Sequence, residues 1–419
     1  MTEAVDRLGA GRAVAGTEVP LGVRTTAHEL TTFDGAVVAG LLHQIENSHT
    51  VVCLMHPRQS LTHHPMVSWF LRMGVSVWTQ DTRSPNNDIN LVHEQAILDM
   101  AAGQNFLREH GFDDVVLFGH SGGGTLAAFY IEQAATEPEH RIDITPAGRR
   151  IQLSGAPMPQ PDGVVFLAPH PGQGQVLLKC IDPSVADEDD PTSALRDLDM
   201  YDTTNGFVPA PGSSKYSASF MQEYRAAQEE RVKRIDAKAR ELADQANGAR
   251  ARFARSGDPR DRRASLTPRI ITTHRTDADP RYTDLHLDVN DRHYGSLFGR
   301  RPDLTNFGLV GFGRLTTPDA WLSTWSAFRT NADFTRCAPS IRIPTLFIEV
   351  TGDQAAFAAD CDRMFEAIGG DDKTRHTVRG QHFGQPLVDG EPTAYERAAE
   401  HTEPWLSDRF KTVNSLHQF

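Results

Sequence analysis

The chain has 419 residues, 39% of them hydrophobic and 23% charged, with 42 basic against 55 acidic side chains and a net charge of −13. That balance argues against a general affinity for nucleic acid or anionic membrane, and no apolar run approaches the roughly 18 residues needed to cross a bilayer. The start, MTEAVDRLGAGRAVAG, lacks a basic stretch followed by an apolar one, and the cysteines (Cys53, Cys180, Cys337, Cys361) are widely spaced with no CxxC pair. No secretory signal is expected, and reduced thiols in a cytoplasmic enzyme are the expectation.

After an N-terminal extension, 1–23, residues 26–32 and 36–43 flank the turn dipeptide Asp34-Gly35 and predict an antiparallel hairpin. VVCLM (51–55), VSVWTQ (75–80), VVLFG (115–119) and VVFLA (164–168) are apolar along their length, as strands buried on both faces of a parallel sheet are. Segments 64–73, 91–110 and 122–135 have helical length and period, whereas 136–162 is longer than a helix-to-strand loop and fits no pattern. Past Pro169 the rhythm breaks. A helix is predicted over 217–247, with Val232, Ile235 and Leu242 as its apolar stripe and Glu229–Lys233 and Glu230–Arg234 as i,i+4 pairs. The Arg-rich run 250–263 has a single aromatic, Phe253, and reads as a solvated loop. Sheet rhythm returns at 343–350, followed by a helix (355–368) and a last strand (374–380). The fold class is therefore α/β, a mostly parallel, doubly wound sheet of about eight strands. Its two parts are 24–169 and 337–419, and 170–336 is a largely helical insertion after strand 6.

The strongest chemical signal is VVLFGHSGGGTLAAFYI. It places Gly119-His120-Ser121-Gly122-Gly123 where a buried strand turns sharply into a helix. A serine oxygen can attack a carbonyl when such a turn presents it, and the crowding two residues to either side calls for glycine. The helix starts directly after Ser121, so the Gly122 N–H faces the place where an oxyanion would form.

This segment resembles the nucleophile elbow of the α/β-hydrolase superfamily. The resemblance covers about 24–170 and 337–410. It implies a serine-esterase-like enzyme with a cap over its active site, in which the order along the chain is serine, acid, histidine. IPTLFIEVTGDQAAF resembles the family's penultimate strand and acid turn, pointing to Asp353; TVRGQHFGQ resembles its last strand and histidine loop, pointing to His382. Glu349 lies within the strand and is the lesser candidate for the acid, Asp360 and Asp362 are expected on the solvated face of the next helix, and His376 is expected to be structural. The family's second oxyanion donor follows the third strand, where CLMHPRQS gives the backbone N–H of Arg58 as candidate, with His56 beside it. WTQDTRSPNND resembles a structural Asp-x-Arg-Gly turn, with Asp81 and Arg83 matching and Ser84 in place of glycine. His63-His64 has no third ligand at metal-like spacing, so no metal and no cofactor are expected.

The reaction expected is hydrolysis of a small-molecule carboxylic ester through a Ser121–His382–Asp353 triad and an acyl-enzyme. Thioester, amide or C–C bond hydrolysis would use the same triad, and a non-catalytic ligand-binding protein is the reading from another class. Trp321, Trp325, Phe307 and Phe312 are candidates for the pocket wall contributed by the insertion. A small-molecule partner is expected, with neither nucleic acid nor membrane.

Overall fold

A computed structural model describes residues 19–413; most of the 1–23 extension and residues 414–419 lie outside the described residues. The hairpin forms as β1 (Arg24–Thr31) and β2 (Val37–Gln44), closed by Thr32 N–H donating to Ala36 O at 2.8 Å. Then come β3 (Thr50–Met55), α1 (Met66–Arg72), β4 (Ser76–Gln80), α2 (His93–Glu109), β5 (Asp114–His120), α3 (Gly122–Ala135) and β6 (Gly163–Leu167). The sheet is completed near the C-terminus by β9 (Thr345–Gly352) and β10 (Lys373–Gln381). The strand order is β1-β2-β4-β3-β5-β6-β9-β10, with the β1–β2 and β2–β4 pairs antiparallel and every later pair parallel. This is the mostly parallel eight-stranded sheet expected.

The unbroken apolar runs are explained by burial on both faces. Val51, Cys53, Leu117, Val164 and Phe166 point toward α2, α3 and α10 (Ala358–Ala367). Their neighbours Val52, Leu54, Val116, Phe118 and Val165 point toward α1 and α11 (Ala394–Arg409). Because strand side chains alternate, each run feeds two cores.

Between β6 and β9 lie α4 (Gln173–Cys180), α5 (Ala218–Ser256), α6 (Pro259–Leu266), a two-residue ladder of β7 (Ile271–Thr272) with β8 (Leu315–Thr316), and the short helical pieces α7 (Pro302–Thr305), α8 (Pro318–Ala320) and α9 (Phe334–Cys337). Its helix is concentrated in α5, around which long irregular segments are wrapped. Val232, Ile235, Ala239 and Ala243 pack with Val176, Leu177, Trp321 and Trp325, and Leu242 is partly buried against them. Irregular backbone needs polar partners, and buried residues of α5 supply them. Gln228 donates to the carbonyls of Lys179 and Ile181, both at 2.8 Å, and the fully buried Arg231 donates to those of Asp182 and His274 at 2.6 and 2.8 Å.

Three local expectations are corrected. Helix α5 runs through Gly248 to Ser256, so the Arg-rich stretch is helical, continuing in α6, although its arginine side chains are exposed. The helix persists because Ala249 is buried and Asn247 donates to Ala147 O at 2.9 Å. That contact also places 136–162, a loop pinned to α5 by Ala147 and to the sheet's core by Ile151, Leu153 and Met158. Finally, Glu230 pairs with Lys233 one turn on at 2.8 Å rather than with Arg234, and Glu229 sits 3.9 Å from the same lysine.

Candidate active site

Ser121 lies between β5 and α3 with φ 56° and ψ −125°, a conformation sparsely populated for a residue with a side chain. The surroundings hold it there: its N–H donates to Leu167 O at 3.3 Å, and its carbonyl accepts from Gly124 N at 3.0 Å and His170 N at 3.3 Å. Glycine is obligatory on either side. A Cβ on Gly119 would lie 2.6 Å from Gly124 Cα, and one on Gly123 would lie 2.6 Å from Met55 O.

His382 follows β10 and Asp353 follows β9, both at the C-terminal edge of the sheet where Ser121 sits. His382 Nε2 is 2.8 Å from Ser121 Oγ, and its Nδ1 is 3.0 and 2.9 Å from the two carboxylate oxygens of Asp353. Asp353 Oδ1 also accepts from the N–H groups of Ala355 and Ala356 at 2.6 and 3.0 Å, which fixes the carboxylate plane. Asp353 and His382 are each 2% exposed and Ser121 is 9% exposed, so the chain of three runs under cover.

The rival carboxylates are engaged elsewhere. Glu349 accepts from Arg375 at 2.7 Å and from Thr377 on the neighbouring strand. Asp360, expected to be solvated, is instead buried, capping α10 through Phe357 N at 3.2 Å and pairing with Arg281 and Arg363. Asp362 pairs with Arg375 at 2.8 Å, and His376 stacks on His401 at 3.9 Å. Arg83 ties the hairpin to α2 through Asp34 and Asp99, as a structural residue would, whereas Asp81 Oδ1 has no hydrogen bond among the described residues.

The loop after β3 corrects the oxyanion assignment. The N–H groups of Arg58 and Gln59 both donate to His56 Nδ1 at 3.0 Å, so the Arg58 N–H is turned back onto its own loop. The Arg58 side chain reaches the insertion: it forks onto Asp88 at 2.6 and 2.7 Å and lies over Phe312 and Trp325, 5.3 and 5.1 Å from their ring centroids. Gly122, the first residue of α3, has no acceptor for its N–H within the helix. Of the other aromatic candidates, Trp321 is a core residue bonded to Asp236 at 2.7 Å, and Phe307 is exposed.

His64 and His120 form a hydrogen-bonded row that ends on the His382 carbonyl. Met66 N–H donates to His64 Nδ1 at 3.2 Å, His64 Nε2 meets His120 Nδ1 at 3.1 Å, and His120 Nε2 meets the His382 carbonyl at 2.9 Å. An imidazole that accepts at Nδ1 carries its proton on Nε2, so the whole row is neutral and points one way. His64 is thereby committed to His120, and no cluster of three metal-ligating side chains occurs among the described residues.

The ends of the 170–336 segment meet beside Ser121: Phe334 N–H donates to Pro171 O at 3.0 Å, and Gln175 donates to Asp333 at 2.8 Å. Its middle reaches Asp353, with Asn290 donating to Asp353 O at 2.8 Å, and the loop beyond His382, with His293 Nε2 lying 3.1 Å from Leu387 O. A cavity of about 210 Å³ lies to one side, between Gln354, Ala355 and Phe357 and the mutually paired Asp279 and Arg281, but neither Ser121 nor His382 lines it.

Sequence reasoning passed over His93, His170 and Gln173, all buried near the serine. The usable signal was position: PHPGQ follows the carboxyl end of β6, and ligands of open α/β sheets gather beyond such ends. Burial pushes His64 down to about 3 and His93 to about 4; burial, then the charges of His382 and Arg58, pushes His170 to about 3. Burial likewise lowers His56 and His120 far below the ordinary range, with Arg58 and His64 the next causes.

These rings stay neutral in the folded chain while the unfolded chain takes up protons below the ordinary value of 6.5. The stability they allow is intact above that value and is lost as pH falls through the window down to their folded values. Near pH 5 the loss is about 2 kcal/mol for each of His64, His93 and His170. Asp277, raised by burial to about 6, works the other way and offsets about 1 kcal/mol. Calorimetry should therefore show Tm falling steeply from pH 7 to 5, and an unchanged Tm would contradict the neutral assignment.

No family model and no curated protein matches the chain. Among solved structures, the α/β hydrolase GrgF from Penicillium sp. sh18 is 12% identical, with 92% of this chain and 99% of that chain covered and a TM-score of 0.48. The esterase Pf2001 of Pyrococcus furiosus is 11% identical over 93% of this chain and 95% of that chain, with a TM-score of 0.42. The hypothetical protein PA2218 of Pseudomonas aeruginosa is 12% identical over 96% and 99%, with a TM-score of 0.45. The chain's own strand order, its parallel register from β4 onward and the strained serine turn just after β5 make it a doubly wound α/β fold, in keeping with the resemblance of the serine segment to the α/β-hydrolase elbow.

Proposed function

We propose that the chain is a serine hydrolase that cleaves a carboxylic ester of a small molecule. The observation that carries this reading is the continuous line Ser121 Oγ–His382 Nε2, His382 Nδ1–Asp353, with distances of 2.8 and 2.9 Å. Asp353 holds the His382 proton on Nδ1 and leaves Nε2 free to accept. As Ser121 Oγ bonds to the ester carbonyl carbon, its proton passes to His382 Nε2, and the carbonyl oxygen becomes an anion beside the Gly122 N–H. Collapse breaks the C–O bond, the alcohol leaves with the proton from His382, and the acyl group stays on Ser121. Water then attacks the acyl carbon with His382 as base again, releasing the acid and restoring the serine.

Ester hydrolysis is favoured over amide or C–C cleavage because an alkoxide leaves more readily than an amide anion or a carbanion, and so asks less of the proton that His382 supplies. The segment 170–336, anchored on Pro171, Asp353 and the Arg58 loop, acts as a cap; an enclosed serine suits a small molecule better than a polymer. A panel of p-nitrophenyl esters of rising acyl length, run beside acyl-thioesters, anilides and a β-diketone, tests the assignment. Esters should be turned over fastest, with one equivalent of carboxylic acid formed per phenol. Preferential turnover of the diketone would move the chain to C–C hydrolysis, and no turnover of any class would favour a binding protein.

A further inference from the structure

The Arg58 N–H expected as second oxyanion donor is engaged by His56, and three buried side chains crowd the residue next to the serine. A methyl group built on Gly122 would lie 2.3 Å from Gln173 Nε2, 3.0 Å from His170 Nε2 and 3.1 Å from His56 Nε2. Three side-chain nitrogens, carried by the loop after β3 and the segment after β6, thus converge on the residue next to the serine.

Their protonation is set by what lies behind them. His56 Nδ1 accepts from two backbone N–H groups, and His170 Nδ1 accepts from Gly172 N–H at 3.0 Å. Each neutral ring therefore carries its hydrogen on Nε2, aimed toward Gly122, and neither Nε2 has a hydrogen-bond acceptor among the described residues. Gln173 is 2% exposed, and its carboxamide, which interacts with the buried His93 ring, makes no well-formed hydrogen bond among the described residues. A buried amide left without a hydrogen bond is costly to keep unless something else pairs it. What all three offer is donors to an oxygen.

We propose that the Nε2–H groups of His56 and His170, with the Gln173 carboxamide, join the Gly122 N–H to bind the carbonyl oxygen of the substrate as it becomes an anion. The site is an oxyanion hole built mostly of side chains, replacing the Arg58 backbone N–H that His56 has captured. The proposal rests on the serine-hydrolase reading above. Neutral donors stabilise a developing anion without becoming acids themselves, and burial keeps His170 neutral down to a pH of about 3.

The test reads the rate at which a fluorophosphonate labels Ser121, since phosphonylation also develops negative charge on an oxygen beside the serine. His56→Asn and His170→Asn keep an acceptor near the Nδ1 position, and so keep the loop bonds, but remove the Nε2–H. His56→Gln and His170→Gln put an amide N–H back near Nε2. Each asparagine variant should label about 10²-fold more slowly and each glutamine variant should recover most of that loss. Gln173→Met, which keeps the bulk and disturbs no hydrogen-bonded loop, should also be slowed. Wild-type rates in both asparagine variants, or equal losses in the asparagine and glutamine variants, would overturn the oxyanion assignment while leaving Ser121 as nucleophile. A wild-type protein that takes no label would overturn the hydrolase reading and this one with it.

Discussion

Ser121→Ala should lower ester turnover by roughly 10³- to 10⁶-fold while the protein folds as before. The change removes only Oγ, whose one hydrogen-bond partner among the described residues is His382 Nε2 at 2.8 Å. The strained backbone at Ser121 is held by Leu167, Gly124 and His170 through main-chain hydrogen bonds that alanine keeps. Whatever activity survives would come from the oxyanion donors and from positioning of the ester against water. Steady-state assay beside a thermal melt checks both halves. Turnover within tenfold of wild type would remove Ser121 from the mechanism.

Asp353→Asn should cost about 10⁴-fold, for a reason the local hydrogen bonds spell out. Asp353 Oδ1 is already occupied by the N–H groups of Ala355 and Ala356. An asparagine would keep its oxygen on those donors and turn its NH₂ toward His382 Nδ1. The imidazole would then have to accept at Nδ1 and carry its proton on Nε2, where it can no longer take one from Ser121. Glu349→Gln should be mild by comparison, because Glu349 faces Arg375 and Thr377 rather than the histidine. A crippled Glu349→Gln with an active Asp353→Asn would reverse the assignment.

The sheet was readable because its strands are buried on both faces, and two-sided burial leaves an unbroken apolar run such as VVFLA for β6. The serine turn was readable because backbone crowding demands glycines at fixed offsets, and Gly119 and Gly123 stand there. Asp353 and His382 came from the order in which sheet edges deliver residues in the family the turn resembles. The Arg58 N–H could not be judged from CLMHPRQS, since whether it faces the site depends on a histidine two residues earlier bending round to accept it. The role of His170 and Gln173 likewise depends on α4 bringing them against a residue some fifty positions upstream, a tertiary fact that no local pattern carries. Helix α5 was cut short at Asn247 because Gly248 reads as a stop; burial of Ala249 and the Asn247–Ala147 contact override a preference worth about 1 kcal/mol.

The central claim is that Ser121 is a nucleophile activated by His382. Intact mass of the protein after exposure to a fluorophosphonate, followed by peptide mapping, addresses it most directly. One adduct per chain on the peptide containing Ser121, absent from Ser121→Ala and strongly slowed in His382→Ala, is the predicted result. No adduct, or an adduct on another residue that persists in Ser121→Ala, would contradict the account.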